Sequence, residues 1–307
     1  MGFEVALTNV LITLLYIVPG FLLGRFKKGS AEHLPTLSAV LIYVSGPCMI
    51  VNALMKMEFS LPGLGNMGLF LLVSLVAQAA FMLILFAIFG KNADAKRRVF
   101  AIASVMGNVG FFGLPMVKVL LPDNPEVLTY SSAYAVSMNI LLFTVGIFCL
   151  TGKRESMSLR HAVVNPTVIG FAVAVVLYSV DARSYMPELL KNCVALLGDF
   201  STPLCMLILG IRLSTVSLKR LFTRPLVYGI AASKLLLYPL FVFLLTLILP
   251  LPYSFEASLV ILSATPCAAI IQSMAEIHKS ETELSANCVM LSTLLCFLTI
   301  PLATLLL

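Results

Sequence analysis

Apolar runs long enough to cross a bilayer, each about 20 residues in helical form, follow one another along almost the whole of this chain. Short segments that carry the charge separate them. In hydrocarbon every backbone N–H and C=O must be satisfied within the spanning structure, so such runs are helices. A chain patterned this way folds inside a membrane. Of its 307 residues 60% are hydrophobic and 11% charged, with a mean hydropathy of +1.04, whereas a soluble domain carries roughly a quarter charged residues. Spans are read at 4–24, 34–55, 64–89, 99–120, 126–150, 162–180, 189–211, 225–249, 256–276 and 284–306. The opening MGFEVALTNV lacks a basic segment and leads into a full-length span ending at Arg25, so it reads as the first span and not as a signal peptide.

Lysine and arginine are distributed unevenly between the connections. The odd-numbered ones hold 15: Arg25, Lys27, Lys28; Lys91, Lys96, Arg97, Arg98; Lys153, Arg154, Arg160; Arg212, Lys219, Arg220, Arg224; and Lys279. The even-numbered ones hold 4, namely Lys56, Lys118, Arg183 and Lys191. Basic loops stay in the cytoplasm, which predicts a multi-pass protein of the cell membrane with both termini outside. The net charge of +6 is thereby explained by orientation, and nucleic acid is excluded as a partner. Seven cysteines form no CxxC pair and all lie in apolar runs, where they read as small buried side chains. His33, His161 and His278 fall at span ends, so no metal site or cofactor is expected.

An offset of 156 residues aligns Asn9 with Asn165, Pro47 with Pro203, Gln78 with Lys234, and Gly110 with Pro266. Such self-similarity marks an internal repeat, here residues 1–152 and 162–307 joined by a short cytoplasmic loop at 153–161. Five spans in each half put the second half into the membrane in the opposite sense. An inverted repeat of this kind suits alternating access.

Helix breakers occupy matching places in the fourth and ninth spans, GNVGFFGLP (107–115) and SATP (263–266). Non-helical backbone at membrane depth is tolerated where it is buried in protein or lines a cavity. Half-helix N-termini brought together there would present free N–H groups to an anion. The candidate substrate-binding residues are Asn108, Val109, Gly110 and Pro115 in one segment and Thr265, Pro266 and Cys267 in the other, with Pro115 and Pro266 expected to keep the ladder open. Asn108 can bind a carboxylate or cap the frayed ends. Asn139, mid-way through the fifth span, is either a further ligand or an interhelical hydrogen-bonding group.

Lys234 lies inside the eighth span, and a central lysine costs on the order of 2.5–3.5 kcal/mol to insert. Three roles stay open: attracting an anionic substrate, replacing a coupling cation by stabilising the breaks, or pairing with Asp199. Gln78 is its counterpart in the third span, and Gln272 lines the path or faces solvent. No HExxH, no pair of intramembrane aspartates and no deeply placed histidine is present, which argues against a membrane enzyme.

The segments GNVGFFGLPMVKVL, SATPCAAIIQSMAEIHK, LSTLLCFLTIPL, VVNPTVIGF and LGDFSTPLCMLILGIRL together resemble the auxin efflux carrier family, which includes the plant PIN proteins and bacterial carriers of malonate and other small carboxylates. The resemblance implies an all-α membrane fold of ten helices in two inverted five-helix repeats. In it the first, second, sixth and seventh spans form a scaffold, and the other six form a moving, elevator-type domain whose broken fourth and ninth helices cross at the substrate. It places the crossover asparagine on Asn108, the crossover prolines on Pro115 and Pro266, a basic eighth-span residue on Lys234, and a polar fifth-span ligand on Asn139. The long cytoplasmic loop of many plant members is here only GKRESMSLRH, so control through that loop is not expected. The function expected is a secondary transporter of a small organic anion, a mono- or dicarboxylate. The alternatives are an anion channel or a carrier of a neutral or auxin-like aromatic acid. The lipid bilayer and the anion are its partners, with a homodimer left open.

Overall fold

Leucine, isoleucine, valine and phenylalanine in unbroken runs favour helix in hydrocarbon because only the i→i+4 ladder satisfies the backbone locally. The computed structural model describes residues 3–90, 93–153, 155, 157–215 and 224–307. Lys91, Arg154, Lys219 and Arg220, which entered the charge count, lie outside them, as does Ser156 of the loop at 153–161. The twelve principal helices are α1 (Phe3–Arg25), α2 (Leu34–Met55), α3 (Leu61–Phe89), α4 (Ala95–Val105), α5 (Val109–Leu120), α6 (Val127–Thr151), α7 (Pro166–Ser179), α8 (Glu188–Thr215), α9 (Pro225–Thr246), α10 (Tyr253–Ser263), α11 (Ala269–Ile277) and α12 (Thr282–Leu306). Seven of them, α1, α2, α3, α6, α8, α9 and α12, are long and apolar enough to cross a membrane. The fold is all-helical, and among the described residues no strand forms.

Helix starts follow local chemistry. Ser60 accepts from the N–H of Gly63 at the start of α3, Asp94 from Arg97 at α4, and Asn165 from Val168 at α7, each satisfying an N–H that has no partner in the first turn. Three prolines inside spans are accommodated by a common device. A proline ring clashes with the carbonyl four residues back and offers no N–H. Each of Pro47, Pro115 and Pro239 follows a widened turn, Leu41–Ser45, Val109–Gly113 and Ser233–Leu237 respectively, which displaces that carbonyl. The expectation that Pro115 holds the ladder open is therefore corrected. The helix continues through Pro115, and the break lies upstream, at Met106–Asn108, between α4 and α5.

Packing sorts the polar from the apolar faces. Along α3, Phe70, Ser74, Ala77, Gln78 and Phe81 are buried, while Leu72, Val76, Leu83 and Ile88 are exposed. A lipid-facing helix has this inverted amphipathicity. α1 packs along α8 with backbones nearly touching. A Cβ on Gly20 would stand 2.2 Å from the Leu207 carbonyl oxygen, and one on Gly210 would stand 2.2 Å from that of Ile17. Only glycine permits this approach, a common basis of helix association in lipid. α2 lies on α7 and α8, α3 on α6, and α12 on α1 and α9. Most of α6 and the run Leu284–Thr293 of α12 are buried, which puts the interior of the molecule around them.

Candidate functional site

The two interrupted segments meet. Met106–Asn108 and Ala264–Ala268 run antiparallel, joined by a bridge between Gly107 and Cys267. The N–H of Asn108 donates to the Pro266 carbonyl at 2.8 Å, and that of Ala268 donates to the Met106 carbonyl at 3.0 Å. Four half-helices thus end or begin at one place: α4 and α10 point their C-termini at it, and α5 and α11 start from it. The remaining polar backbone is largely tied down. Ser292 of α12 accepts from the N–H of Cys267 at 2.9 Å, and Ser131 of α6 donates to the Val109 carbonyl at 3.1 Å. Backbone freed from the helical ladder is supplied with partners by the other interrupted segment and by serines on neighbouring helices, as it must be where lipid offers none.

Close approach at the bridge requires Gly107. A Cβ there would stand 2.4 Å from Thr265 Oγ1 and 3.2 Å from Lys234 Nζ. Lys234 itself is fully buried and donates from Nζ to the Ser263 carbonyl at 2.5 Å, with the ammonium 4.9 Å from the centre of the Tyr238 ring. Its charge therefore sits at the C-terminal, electronegative end of α10 and over an aromatic face. Among the described residues it forms no ion pair.

Asn108 sits on the other side of the bridge. Its backbone carbonyl accepts from Phe112 and Gly113, and its Nδ2 approaches Cys205 Sγ of α8 at 3.8 Å. Gly110 faces the Met49 methyl of α2. Val109, Thr265, Pro266 and Cys267 are buried, whereas Gly110, Phe111, Ala269 and Ile270, in the first turns of α5 and α11, are half-buried. The first turns of the two downstream halves are thus the accessible part of the junction, and their N–H groups are the ones a helix start leaves without intrahelical partners.

Other expected residues lie apart. Asn139 is buried and donates to the Ala135 carbonyl on its own helix. Gln78 donates to Ser137, which also accepts from Ser74, and so ties α3 to α6. Asp199 is exposed and is not among the contacts of Lys234. Pro115 is in the helix past the widened turn.

Several residues at the junction carried no sequence signal of their own. Ser131 and Ser292 are ordinary hydroxyls in apolar runs. Tyr134 and Tyr238 are 104 residues apart, yet share a buried hydroxyl pair at 2.7 Å. Arg212, counted above as a loop cation, lies within α8 because that helix continues to Thr215, and it is 7% exposed. Cys193 is exposed and Cys48 half-buried, while the other five cysteines are buried, which corrects the uniform burial expected for the seven.

Residues 5–304 match the family described as membrane transport protein. The chain is 24% identical over 301 residues to an uncharacterized transporter of Methanocaldococcus jannaschii, covering 95% of this chain and 96% of that one. It is 22% identical over 300 residues to an uncharacterized transporter of Methanothermobacter thermautotrophicus, covering 96% of each. With a match over nearly its whole length, the chain belongs to the membrane transport protein family, the auxin efflux carrier (PIN-like) family that its broken-helix motifs resemble.

Proposed function

We propose that this protein is a secondary transporter of a small organic anion, a mono- or dicarboxylate, working by alternating access with the anion held at the junction of the two interrupted segments. The observation that carries the reading is the antiparallel pairing of Gly107 with Cys267. It brings the N-termini of α5 and α11 together, and two helix starts with a neighbouring amide side chain, Asn108, suit a carboxylate.

The architecture that goes with this reading has ten membrane segments in two inverted repeats, 1–152 and 162–307, with α4–α5 and α10–α11 each counting as one broken span and both termini outside. The offset of 156 residues supports it. It carries 34–55 to 190–211, beside α8 at Glu188–Thr215, and 127–151 to 283–307, beside α12 at Thr282–Leu306. In the same reading Lys234 serves as a fixed cation. It neutralises the carbonyl end of α10 where a mobile ion would otherwise be needed, and so leaves the N-terminal side of the junction to the substrate.

Purified protein in liposomes should take up labelled malonate or another small carboxylate. Asn108→Ala and Lys234→Ala should abolish uptake while the protein remains folded. Undiminished uptake in both variants would remove the site from the junction.

A further inference from the structure

A second polar cluster lies at the end of α8. Arg212 is seven residues, or two turns, beyond Cys205 on the same helix face, about 10 Å at 1.5 Å per residue. Since Cys205 touches Asn108, that face of α8 leads from the junction to Arg212. A matching stripe runs along α11: Ala268 is bonded to the junction, and Gln272 and Glu276 follow at intervals of four residues. The two stripes meet where Arg212 Nη1 donates to Glu276 Oε1 at 3.0 Å and Gln272 Nε2 donates to the same oxygen at 2.9 Å.

This ion pair is underbonded. The Arg212 side chain is 8% exposed and that of Glu276 48%, yet Arg212 Nε and Gln272 Oε1 are buried with no partner. A buried guanidinium normally has its donors filled, and a carboxylate can take two of them side by side. Here one oxygen serves two donors, and Nε stays empty. A permanent structural bridge would be expected to close that gap. A contact that has to be exchanged gains from leaving it open.

Resting on the transport reading above, we infer that Arg212 is the residue that recruits the anionic substrate at the mouth between α8 and α11, and that Glu276 stands in for the substrate carboxylate when the path is shut. An arriving carboxylate takes the Arg212 fork in bidentate fashion through Nε and an Nη. Glu276 is released to water, which its half-exposed position allows, and α8 and α11 part. The Arg212–Glu276 pair is thus both latch and selectivity filter for carboxylates.

Cys205 lies beneath this latch and reports on it without requiring transport. The full-length protein in detergent is treated with N-ethylmaleimide, and modification of each cysteine is followed by peptide mass spectrometry, with Cys296, buried in α12, as the internal reference. Glu276→Gln, a change at a half-exposed carboxylate, should raise the Cys205 rate several-fold and leave the reference unchanged. An unchanged Cys205 rate overturns the latch whether or not the protein transports anything. In liposomes Arg212→Gln should raise the KM for malonate several-fold, and Arg212→Lys, which keeps the charge but loses the fork, should raise it less. A wild-type KM in both Arg212 variants overturns the recruiting role. If no carboxylate is transported while Cys205 still opens in Glu276→Gln, the substrate assignment fails and the latch stands.

Discussion

The backbone N–H of Asn108 donates to the carbonyl of Pro266 at 2.8 Å, so two interruptions 158 residues apart in the chain satisfy each other's backbone. An isolated break would leave several polar groups unpaired in a medium without water, at a cost of several kcal/mol each. The pairing makes the junction a structural unit and predicts that damage to either segment is felt by both.

Gly107→Ala places a methyl group 2.4 Å from Thr265 Oγ1 and 3.2 Å from Lys234 Nζ. The bridge has to open to admit it, and overpacking of this kind costs about 1–3 kcal/mol. Thermal unfolding of the detergent-solubilised protein should show a clear drop in Tm. A Tm equal to that of the wild type would mean that the bridge is not tightly packed.

Ser292→Ala removes the acceptor for the Cys267 N–H. A buried donor left without a partner costs about 1–3 kcal/mol. The expected result is a loss of stability larger than that of Ser273→Ala, whose hydroxyl only weakly reaches its own helix at 3.5 Å. Equal losses in the two variants would show that the cap on Cys267 contributes nothing special.

The Tyr134–Tyr238 hydroxyl pair lends itself to a double-mutant cycle. Tyr134→Phe or Tyr238→Phe alone strands one buried hydroxyl, at about 1–3 kcal/mol. The double variant strands none, so it should be more stable than the sum of the single losses implies. Strict additivity would contradict the 2.7 Å contact.

Lys234→Met keeps the length and apolar stem but removes the donor to the Ser263 carbonyl and the charge at the end of α10. Uptake should be lost. If Lys234 acts as a fixed cation, the Tm of the variant should rise with added sodium chloride relative to choline chloride, whereas that of the wild type should not. No difference between the two salts, together with retained uptake, would leave Lys234 as a packing residue.

The membrane fold was legible in the sequence because hydrocarbon imposes a local rule: long apolar runs become helices, and Gly107, Pro115 and Pro266 flagged the two spans where that rule fails. Their approximate place was right, but the exact point of failure was not. A proline inside a run can be absorbed by a widened turn, as at Pro115, and only the path of the carbonyl ladder decides whether the helix stops. Lys234 was recognisable as important for the same local reason, an uncompensated charge at depth. What stands opposite it was not legible: the structure places the Ser263 carbonyl and the Tyr238 ring there, with Asp199 exposed elsewhere.

Composition and periodicity along one chain thus determined that this protein lies in the bilayer, roughly where its helices run, and which two are interrupted. The tertiary structure alone decided that the interruptions pair with each other, that Ser131 and Ser292 hold the pairing, and that Arg212 turns inward to Glu276. Hydropathy is a property of each residue with its solvent and can be read in order. A hydrogen bond between segments more than a hundred residues apart depends on how whole helices are docked, and no stretch of sequence carries that information by itself.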